Sequence, residues 1–238
     1  MEEKLLQMKS LVERLNQASD SYYNGKSELM TDYEWDALFD QLKRLEEETG
    51  EILPDSPTNR VSEDSIVGKK EEHEFAALSL AKTKQVSDLV KWAEDRPIWI
   101  SWKLDGLTLV VTYDGGKLTK IVTRGNGHIG TNITHLAPAI SGIPATISEK
   151  GHLVVRGEAV ISYADFEQFI IESEGDYANP RNLASGSLTL KDIEEVKQRH
   201  IQWIPFTLVY TERELTSWGE RMQMLKDLGM NPVERERI

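Results

Sequence analysis

The chain contains no cysteine among its 238 residues, and it has no long apolar run. The absence of cysteine excludes disulfide bonds, cysteine-ligated zinc and a thiol nucleophile. Apolar runs such as 107–111 are far too short to cross a bilayer, and the N-terminal Met-Glu-Glu-Lys lacks the pattern of a signal peptide. These absences predict a cytoplasmic protein without a membrane partner.

Positive charge is also scarce, because 28 Lys and Arg stand against 40 Asp and Glu, giving a net charge of −12. A protein that binds nucleic acid non-specifically usually has a basic surface. The balance therefore argues against independent nucleic-acid binding, and leaves open a basic groove or a DNA clamp supplied by another segment. The five histidines lack the spacing of metal ligands.

Hydrophobic periodicity divides the chain into a helical beginning and a mixed remainder. Residues 1 to about 48 have apolar residues at helical spacing, and Thr31 with Glu34 forms a capping-box pattern before a second helix. Further helices are predicted over 87–94, 163–172 and 217–228, and strands over 98–102, 107–113, 117–123, 152–161 and 201–210. Neighbouring strands with irregularly interspersed helices indicate an α+β fold with a largely antiparallel sheet.

The run 101–106, Ser-Trp-Lys-Leu-Asp-Gly, places an amine, a carboxylate and a glycine between two predicted strands. A lysine amine attacks phosphorus only when it is deprotonated, which desolvation or neighbouring cations favour. Asp105 could orient the Lys103 amine or a metal ion, and Gly106 would let the backbone approach a phosphate. An Asp-Gly pair is also common in plain turns, so the hypothesis of a nucleotidyl-lysine depends on the surrounding segments.

Three later segments carry charges suited to a nucleotide. Residues 123–130 hold three glycines that can present backbone amides to an anion beside Arg124, with a hairpin loop as the alternative. Glu158 follows Arg156-Gly157 in a strand, where the glycine indicates close backbone approach and a strand-edge ion pair is the alternative. Residues 177–187 are predicted to form a polar loop in which Arg181 could bind phosphate, with an ordinary surface loop as the alternative.

In this order the segments resemble the adenylation domain of bacterial NAD-dependent DNA ligases, over essentially the whole chain. The resemblance implies an α+β fold. A small helical unit over residues 1–62 would recognise the nicotinamide mononucleotide half of NAD. A nucleotidyltransferase domain (ATP-grasp-like, of the DNA-ligase type) with largely antiparallel sheets would occupy 63–238.

The resemblance also implies residue roles. Lys103 would take AMP from NAD, while Asp105 and Glu158 would be catalytic residues that hold the ribose or Mg²⁺. The implied cofactor contacts are Tyr22, Asp32, Trp35, Asp36, Ser79, Leu80, Arg124, Glu158 and Arg181. The implied partner is nicked duplex DNA, in the context of a longer ligase or of a complementing second chain, and the chain itself is expected to be a monomer. Two further lysine motifs of the family would lie beyond Ile238, so this chain alone is expected not to seal nicks.

Several positions depart from the family pattern and leave two alternatives open. Ser101 stands where the family has Glu, Tyr23 where it has His, and Trp35 where it has Tyr. Acids of the glycine-rich loop and a later arginine are replaced by Asn126, Thr131, Asn132 and Thr189. Such drift would also fit a degenerate, non-catalytic nucleotide-binding module of the same fold. An ATP-dependent nucleotidyltransferase is the other alternative, although the N-terminal helical unit has no obvious use for ATP.

Overall fold

The computed structural model describes residues 2–23, 29–58, 68–78, 81–173 and 177–238. The helices are α1 (Glu2–Tyr23), α2 (Asp32–Thr49), α3 (Val86–Ala93), α4 (Tyr163–Ser173), α5 (Pro180–Ser187), α6 (Ile193–Lys197) and α7 (Trp218–Asp227), with a 3-10 helix at Thr134–Ala139. The strands are β1 (Lys70–Glu72), β2 (Trp99–Ser101), β3 (Leu107–Asp114), β4 (Lys117–Thr123), β5 (Ile129–Thr131), β6 (Leu153–Val160), β7 (Gln202–Thr211) and β8 (Arg235–Arg237). The predicted α+β class with antiparallel sheets is confirmed.

The first two helices form a hairpin with its own apolar core. The predicted capping box is present, because the Thr31 side chain accepts from the Glu34 amide and the Glu34 carboxylate accepts from the Thr31 amide. Helix α2 ends at Gly50, which has the left-handed φ of 71° that favours glycine at a helix C-terminus. The buried residues of this core are Met8, Leu11, Val12, Leu15 and Leu42.

A four-stranded sheet in the order β4-β3-β6-β7 organises the rest of the chain, and every neighbouring pair is antiparallel. Because side chains alternate across a strand, β3 sends its odd-numbered residues to one face, where they join the main core. Helical segments cover that face, and the core includes Leu109, Tyr113, Val155, Leu183, Trp203 and Leu225.

The opposite face of the sheet is covered by residues 68–78, called the strap below. Phe75 and Ala77 of the strap pack with Val110 and Val154 of the sheet. Arg156 fastens the strap, since its Nη2 atom donates to the Ala76 carbonyl at 2.6 Å and to the Phe75 carbonyl at 3.2 Å. Earlier in the strap, β1 pairs antiparallel with β5. The strap therefore crosses this face of the sheet.

A second small sheet and a helix lie beside this body. Strand β2 pairs antiparallel with β8, so the segment before Lys103 is held by the last strand of the chain. Helix α3, close to its predicted position, has no buried residue, and Trp92 on it is 66% exposed. No described helix has the length and apolar character needed to span a membrane.

Candidate active site

Lys103 lies in the connection between β2 and β3, where its side chain is exposed. The connection is fixed on both sides of the lysine. Before it, the indole Nε1 of Trp102 donates to Glu234 Oε2 at 2.9 Å. After it, the Gly106 amide donates to Glu158 Oε1 at 3.1 Å. The amine therefore lies on a short segment that is hydrogen-bonded on one side to the residue before β8 and on the other side to β6.

Gly106 allows this segment to touch strand β6. A Cβ atom at this position would lie 2.1 Å from the carbonyl oxygen of Ala159 and 2.8 Å from a methyl carbon of Val160. Contacts this close do not occur between real atoms, so only glycine fits without movement. The glycine is thus required for packing against the sheet, independently of any phosphate.

Glu158 is the buried carboxylate of the site, with 8% of its surface exposed. It stands opposite Thr108 in the β3–β6 register, and the Thr108 hydroxyl donates to Glu158 Oε2 at 2.8 Å. Burial raises the pKa of the Glu158 carboxyl, while the Thr108 hydrogen bond and the charge of Arg181 act in the opposite direction. Thr108 was not predicted as a site residue. The alternation of β3 places it on the face opposite the core residues Leu107 and Leu109, which would have indicated it.

Arg181 forms an ion pair with Asp105, and its charge also acts on the Glu158 carboxylate. Its Nη1 atom lies 3.0 Å from Asp105 Oδ1, and its side chain is 13% exposed against 60% for Asp105. The prediction of a polar loop over 177–187 is wrong, because Arg181 belongs to the first turn of α5. Asn179 caps the helix by accepting from the Asn182 amide, and Pro180 occupies the first turn, where a missing amide proton costs nothing. The polar residues of this segment are buried against the sheet and do not form a surface loop.

Arg124 directly follows strand β4, and its charge acts on the Glu158 carboxylate. Its amide donates to the Thr108 carbonyl at 3.0 Å. The glycine-rich turn that follows uses left-handed φ angles at Gly125 and Gly127, 54° and 91°. Gly127 accepts a hydrogen bond from the Ala77 amide at 2.7 Å, so this turn touches the end of the strap.

Two substitutions in the glycine-rich segment have structural roles. The Asn126 side chain accepts from the amides of His128 and Ile129 at 3.0 and 2.8 Å, which closes the turn locally. Asn132 accepts from the Thr134 hydroxyl at 2.7 Å and donates to Glu71 at 3.2 Å, tying the segment to the strap. Asn126 therefore stabilises the turn itself, and Asn132 stabilises the contact between this segment and the strap.

The glycine between Arg156 and Glu158 makes room for a side chain on the core face. A Cβ at Gly157 would lie 2.4 Å from the Trp203 indole and 2.8 Å from the Ile204 carbonyl oxygen, so the close backbone approach predicted there is present together with a side-chain contact. The alternative of a strand-edge ion pair does not hold, because Arg156 bonds the strap carbonyls and Glu158 bonds Gly106 and Thr108.

Asn182, one of the asparagines of segment 177–187, is fully buried on α5. Within the part of the chain that the structure describes, neither its amide oxygen nor its amide nitrogen has a hydrogen-bond partner. A buried amide of this kind is unfavourable unless water or a ligand satisfies it.

The structure thus brings Asp105, Glu158, Arg124 and Arg181 to one end of the sheet, with Lys103 on the adjoining connection. The remaining expected contacts are separate from this group. Trp35 and Asp36 lie on α2 of the helical hairpin. Residues Ser79 and Leu80, and the side chains of Tyr22 and Asp32, lie outside the described part of the chain. No group of three or more His, Asp or Glu among the described residues is arranged to hold a metal ion.

Lys82 and Lys84, which the sequence analysis passed over, contact the helical hairpin. Lys82 Nζ lies 3.3 Å from Asp36 Oδ1, and Lys84 Nζ lies 3.4 Å from Asp36 Oδ2. The segment after residue 80 therefore touches the helix that carries Trp35 and Asp36.

Comparison with known proteins gives a consistent result along the whole chain. Residues 69–237 match the model of the NAD-dependent DNA ligase adenylation domain, and residues 1–62 match that of the DNA ligase-like N-terminal NAD+-binding domain. DNA ligases of Lachnoclostridium phytofermentans and Ruminiclostridium cellulolyticum are each 40% identical to this chain over 244 residues. These alignments cover 100% of this chain and 37% of each relative. A DNA ligase of Leptospira biflexa is 39% identical over 81% of this chain and 30% of its own length. The chain belongs to the NAD-dependent DNA ligase family and carries its adenylation domain.

Proposed function

We propose that the chain transfers AMP from NAD to Lys103. The amine of Lys103 attacks the α-phosphorus, an N–P bond forms, and the bond from that phosphorus to the bridging oxygen breaks. Nicotinamide mononucleotide leaves with the bridging oxygen, and the amine proton passes to solvent or to a base. The observation that supports this proposal is the anchored position of Lys103, between the bonds of Trp102 to Glu234 and of Gly106 to Glu158.

The charges around Lys103 suit an in-line displacement at phosphorus. Arg124 and Arg181 would contact the phosphates, because both are cations whose charge already acts on Glu158. Glu158 would hold the ribose through an oxygen now bonded to Thr108 or Gly106. Asp105, whose side chain is 60% exposed beside Arg181, would orient the amine.

Asp105 is also the better of the two candidate Mg²⁺ ligands. Its carboxylate is 60% exposed, which suits an ion that keeps several waters. Glu158 fits less well, since both of its oxygens accept hydrogen bonds. When bound, Mg²⁺ would supply positive charge that neutralises the phosphates.

Recognition of the two halves of NAD would be divided along the chain. The helical unit over 1–62 would bind the nicotinamide mononucleotide half through Tyr22, Asp32, Trp35 and Asp36. The domain over 63–238 would bind the adenylate half, with Ser79 and Leu80 on the adenine side. The N-terminal match to an NAD+-binding domain supports this division.

Nick sealing would need more protein than this chain, which spans about 37% of the length of the curated relatives that it matches. We infer that the AMP passes to the 5′-phosphate of nicked duplex DNA when further segments or a second chain supply the DNA contacts. The net charge of −12 supports this dependence on other segments. The proposed unit for the first step is a monomer.

The test is intact mass spectrometry after incubation with Mg²⁺ and either NAD or ATP. Carried-over AMP is first removed with excess nicotinamide mononucleotide and pyrophosphate. We expect an AMP-sized increment with NAD only, absent from Lys103→Ala and present in Lys117→Ala, an exposed lysine on β4. An increment with ATP would instead support an ATP-dependent enzyme. NAD binding without an increment would support a non-catalytic nucleotide-binding module.

A further inference from the structure

Lys82 occupies a surface of α2 that is suited to a cation. Its Nζ atom lies 5.8 Å from the centre of the Trp35 ring and 5.3 Å from the centre of the Phe39 ring. The same atom lies 3.3 Å from Asp36 Oδ1. Two aromatic rings and one carboxylate thus surround a single positive charge, which is the usual arrangement for binding a cation by its charge.

This surface is rigid because helix α1 fixes the Trp35 ring. The indole Nε1 donates to the Ser19 hydroxyl at 3.1 Å and to the Leu15 carbonyl at 3.3 Å. Trp35 and Phe39 stack with their centres 4.9 Å apart and an interplanar angle of 18°. The rings therefore present the same face whether or not Lys82 is in place.

The contact with Lys82 is reinforced by Lys84 but is open to exchange. Lys84 lies 3.4 Å from Asp36 Oδ2 and 3.3 Å from Asp40 Oδ2, so both oxygens of Asp36 meet a lysine. The two lysine side chains are 64% and 57% exposed, and ion pairs this exposed contribute little to stability. An incoming cation could displace Lys82 without unfolding any element.

We propose that Lys82 is an internal competitor for the nicotinamide ring of NAD. This inference rests on the proposed function, which assigns Trp35 and Asp36 to the nicotinamide end. The oxidised nicotinamide ring is a flat cation, so it would use the same aromatic faces and the same carboxylate as the Lys82 ammonium. Lys84 already pairs with the other oxygen of Asp36, so a nicotinamide cation at these rings would need the place that Lys82 holds, and Lys82 must leave when it binds.

The competition has a consequence for both ends of the reaction. Lys82 follows residues 79 and 80, which are assigned to the adenine side, by only two positions. When nicotinamide mononucleotide is released, Lys82 returns to Asp36 and the cation surface is filled again. The lysine thereby weakens the binding of the substrate and of the leaving product together, which favours product release.

The experiment compares Lys82→Met with Lys43→Met, the same change at an exposed lysine of α2. Methionine keeps the apolar stem and removes the charge. Dissociation constants for nicotinamide mononucleotide are measured by calorimetry, and Lys103 adenylation by NAD is followed by intact mass. We expect Lys82→Met to bind nicotinamide mononucleotide about three- to tenfold more tightly, with Lys43→Met unchanged within about twofold. Lys82→Arg, which keeps the cation, should remain close to the unmodified chain.

Two outcomes would overturn the proposal. If Lys82→Met bound nicotinamide mononucleotide no more tightly than the unmodified chain does, Lys82 would not compete with this ligand. If neither the unmodified chain nor any variant bound it, the surface would not be a ligand site. Binding of nicotinamide mononucleotide does not require AMP transfer to Lys103, so the binding measurement tests the competition separately from the proposed adenylation. An unmodified chain that binds nicotinamide mononucleotide but never gains AMP would contradict the adenylation proposal alone.

Discussion

At the scale of single residues, Glu158 shows a conflict between stability and charge. Its carboxylate is buried opposite Thr108, and burial raises its pKa above the ordinary value of 4.5. A carboxyl with a raised pKa binds protons more readily in the folded state, so its contribution to stability is present at low pH and is lost as pH rises through the folded pKa. Near neutral pH the ionised group therefore opposes folding, and a buried carboxylate that costs stability in this way is typical of a functional site.

Replacing Glu158 with Gln should separate these two effects. Gln can accept from the Gly106 amide, and the Thr108 hydroxyl can rotate to accept from the new amide group. We expect the unfolding free energy, measured with urea, to equal or exceed that of the unmodified chain at pH 7.5 by on the order of 1 kcal/mol. The advantage should shrink as pH falls towards 4.5. Formation of AMP-Lys103, followed by intact mass, should fall at least about a hundredfold.

The matched control for this prediction is Glu167→Gln, the same change at an exposed position of α4. It should change neither stability nor adenylation, since solvent-exposed substitutions usually alter the unfolding free energy by less than about 0.5 kcal/mol. A large loss of stability in Glu158→Gln at pH 7.5 would show that the carboxylate is a structural group, contrary to the expectation.

Gly106 offers a second test at this scale. In Gly106→Ala the new methyl group would lie 2.1 Å from the Ala159 carbonyl, so the connection carrying Lys103 must move away from β6. We expect a loss of about 1–3 kcal/mol in unfolding free energy, measured by urea titration, together with slower adenylation. Gly186→Ala is the comparison, because its Cβ would meet only the Tyr177 ring at 3.1 Å and alanine favours a helix. Equal stability of the two variants would contradict the packing role assigned to Gly106.

At the scale of elements, periodicity predicted the structure wherever packing on one face repeated along the chain. The hairpin of β3 and β4, both hairpin helices, and β6, β7 and α7 are close to their predicted bounds. The three-residue strands β1, β5 and β8 are too short to carry a period, whereas β2 lies inside the strand predicted over 98–102. All four pair with a strand distant in the sequence. Helix α5 was missed because Asn182, Ser185 and Ser187 are buried beside Leu183 and Ala184, so its buried residues do not form a hydrophobic period.

The strap is the element whose attachment should depend on pH. His152 on the sheet lies between two carboxylates, with Nδ1 2.6 Å from Asp114 Oδ1 and Nε2 2.8 Å from Glu74 Oε2 of the strap. Both ring nitrogens can donate only when the imidazole is protonated. The Asp114 hydrogen bond raises the pKa of His152 from its ordinary 6.5, although partial burial opposes it, and Glu74 adds to the rise. Tyr210 packs beside the ring.

The sign of the pH dependence follows from that raised pKa. The contribution of His152 to stability is complete below about pH 6.5 and is lost as pH rises through its folded pKa. We expect the unmodified chain to exceed His152→Gln by about 0.5–1 kcal/mol in unfolding free energy at pH 6, with the difference disappearing at pH 9. Urea titrations at both pH values provide the measurement. His135→Gln, at an exposed position, should show no such trend, and a difference that grew with pH would refute the role of the protonated ring.

At the scale of the whole molecule, the ordered motifs predicted the family but not how its parts touch. The resemblance supplied Lys103, Asp105, Glu158, Arg124 and Arg181 as a set, and four of the five meet at one end of the sheet. It could not supply the contact of Lys82 with Asp36, because two surface charges 46 positions apart leave no pattern in a single sequence. Nor could it supply Thr108, which matters only through the β3–β6 register.

Two separate apolar cores predict that the chain can be divided near residue 62. The core of the helical hairpin and the core beneath the sheet share no buried residue. A fragment over 63–238 should therefore unfold cooperatively when followed by urea titration, since its core is complete without the hairpin. Because Trp35 and Asp36 are removed, the fragment should gain AMP from NAD at least about a hundredfold more slowly than the whole chain, yet still bind AMP with similar affinity. A fragment that lost AMP affinity as well, or that showed no cooperative transition, would mean that the hairpin is part of the adenylate-binding fold itself, through contacts such as that of α1 with α5.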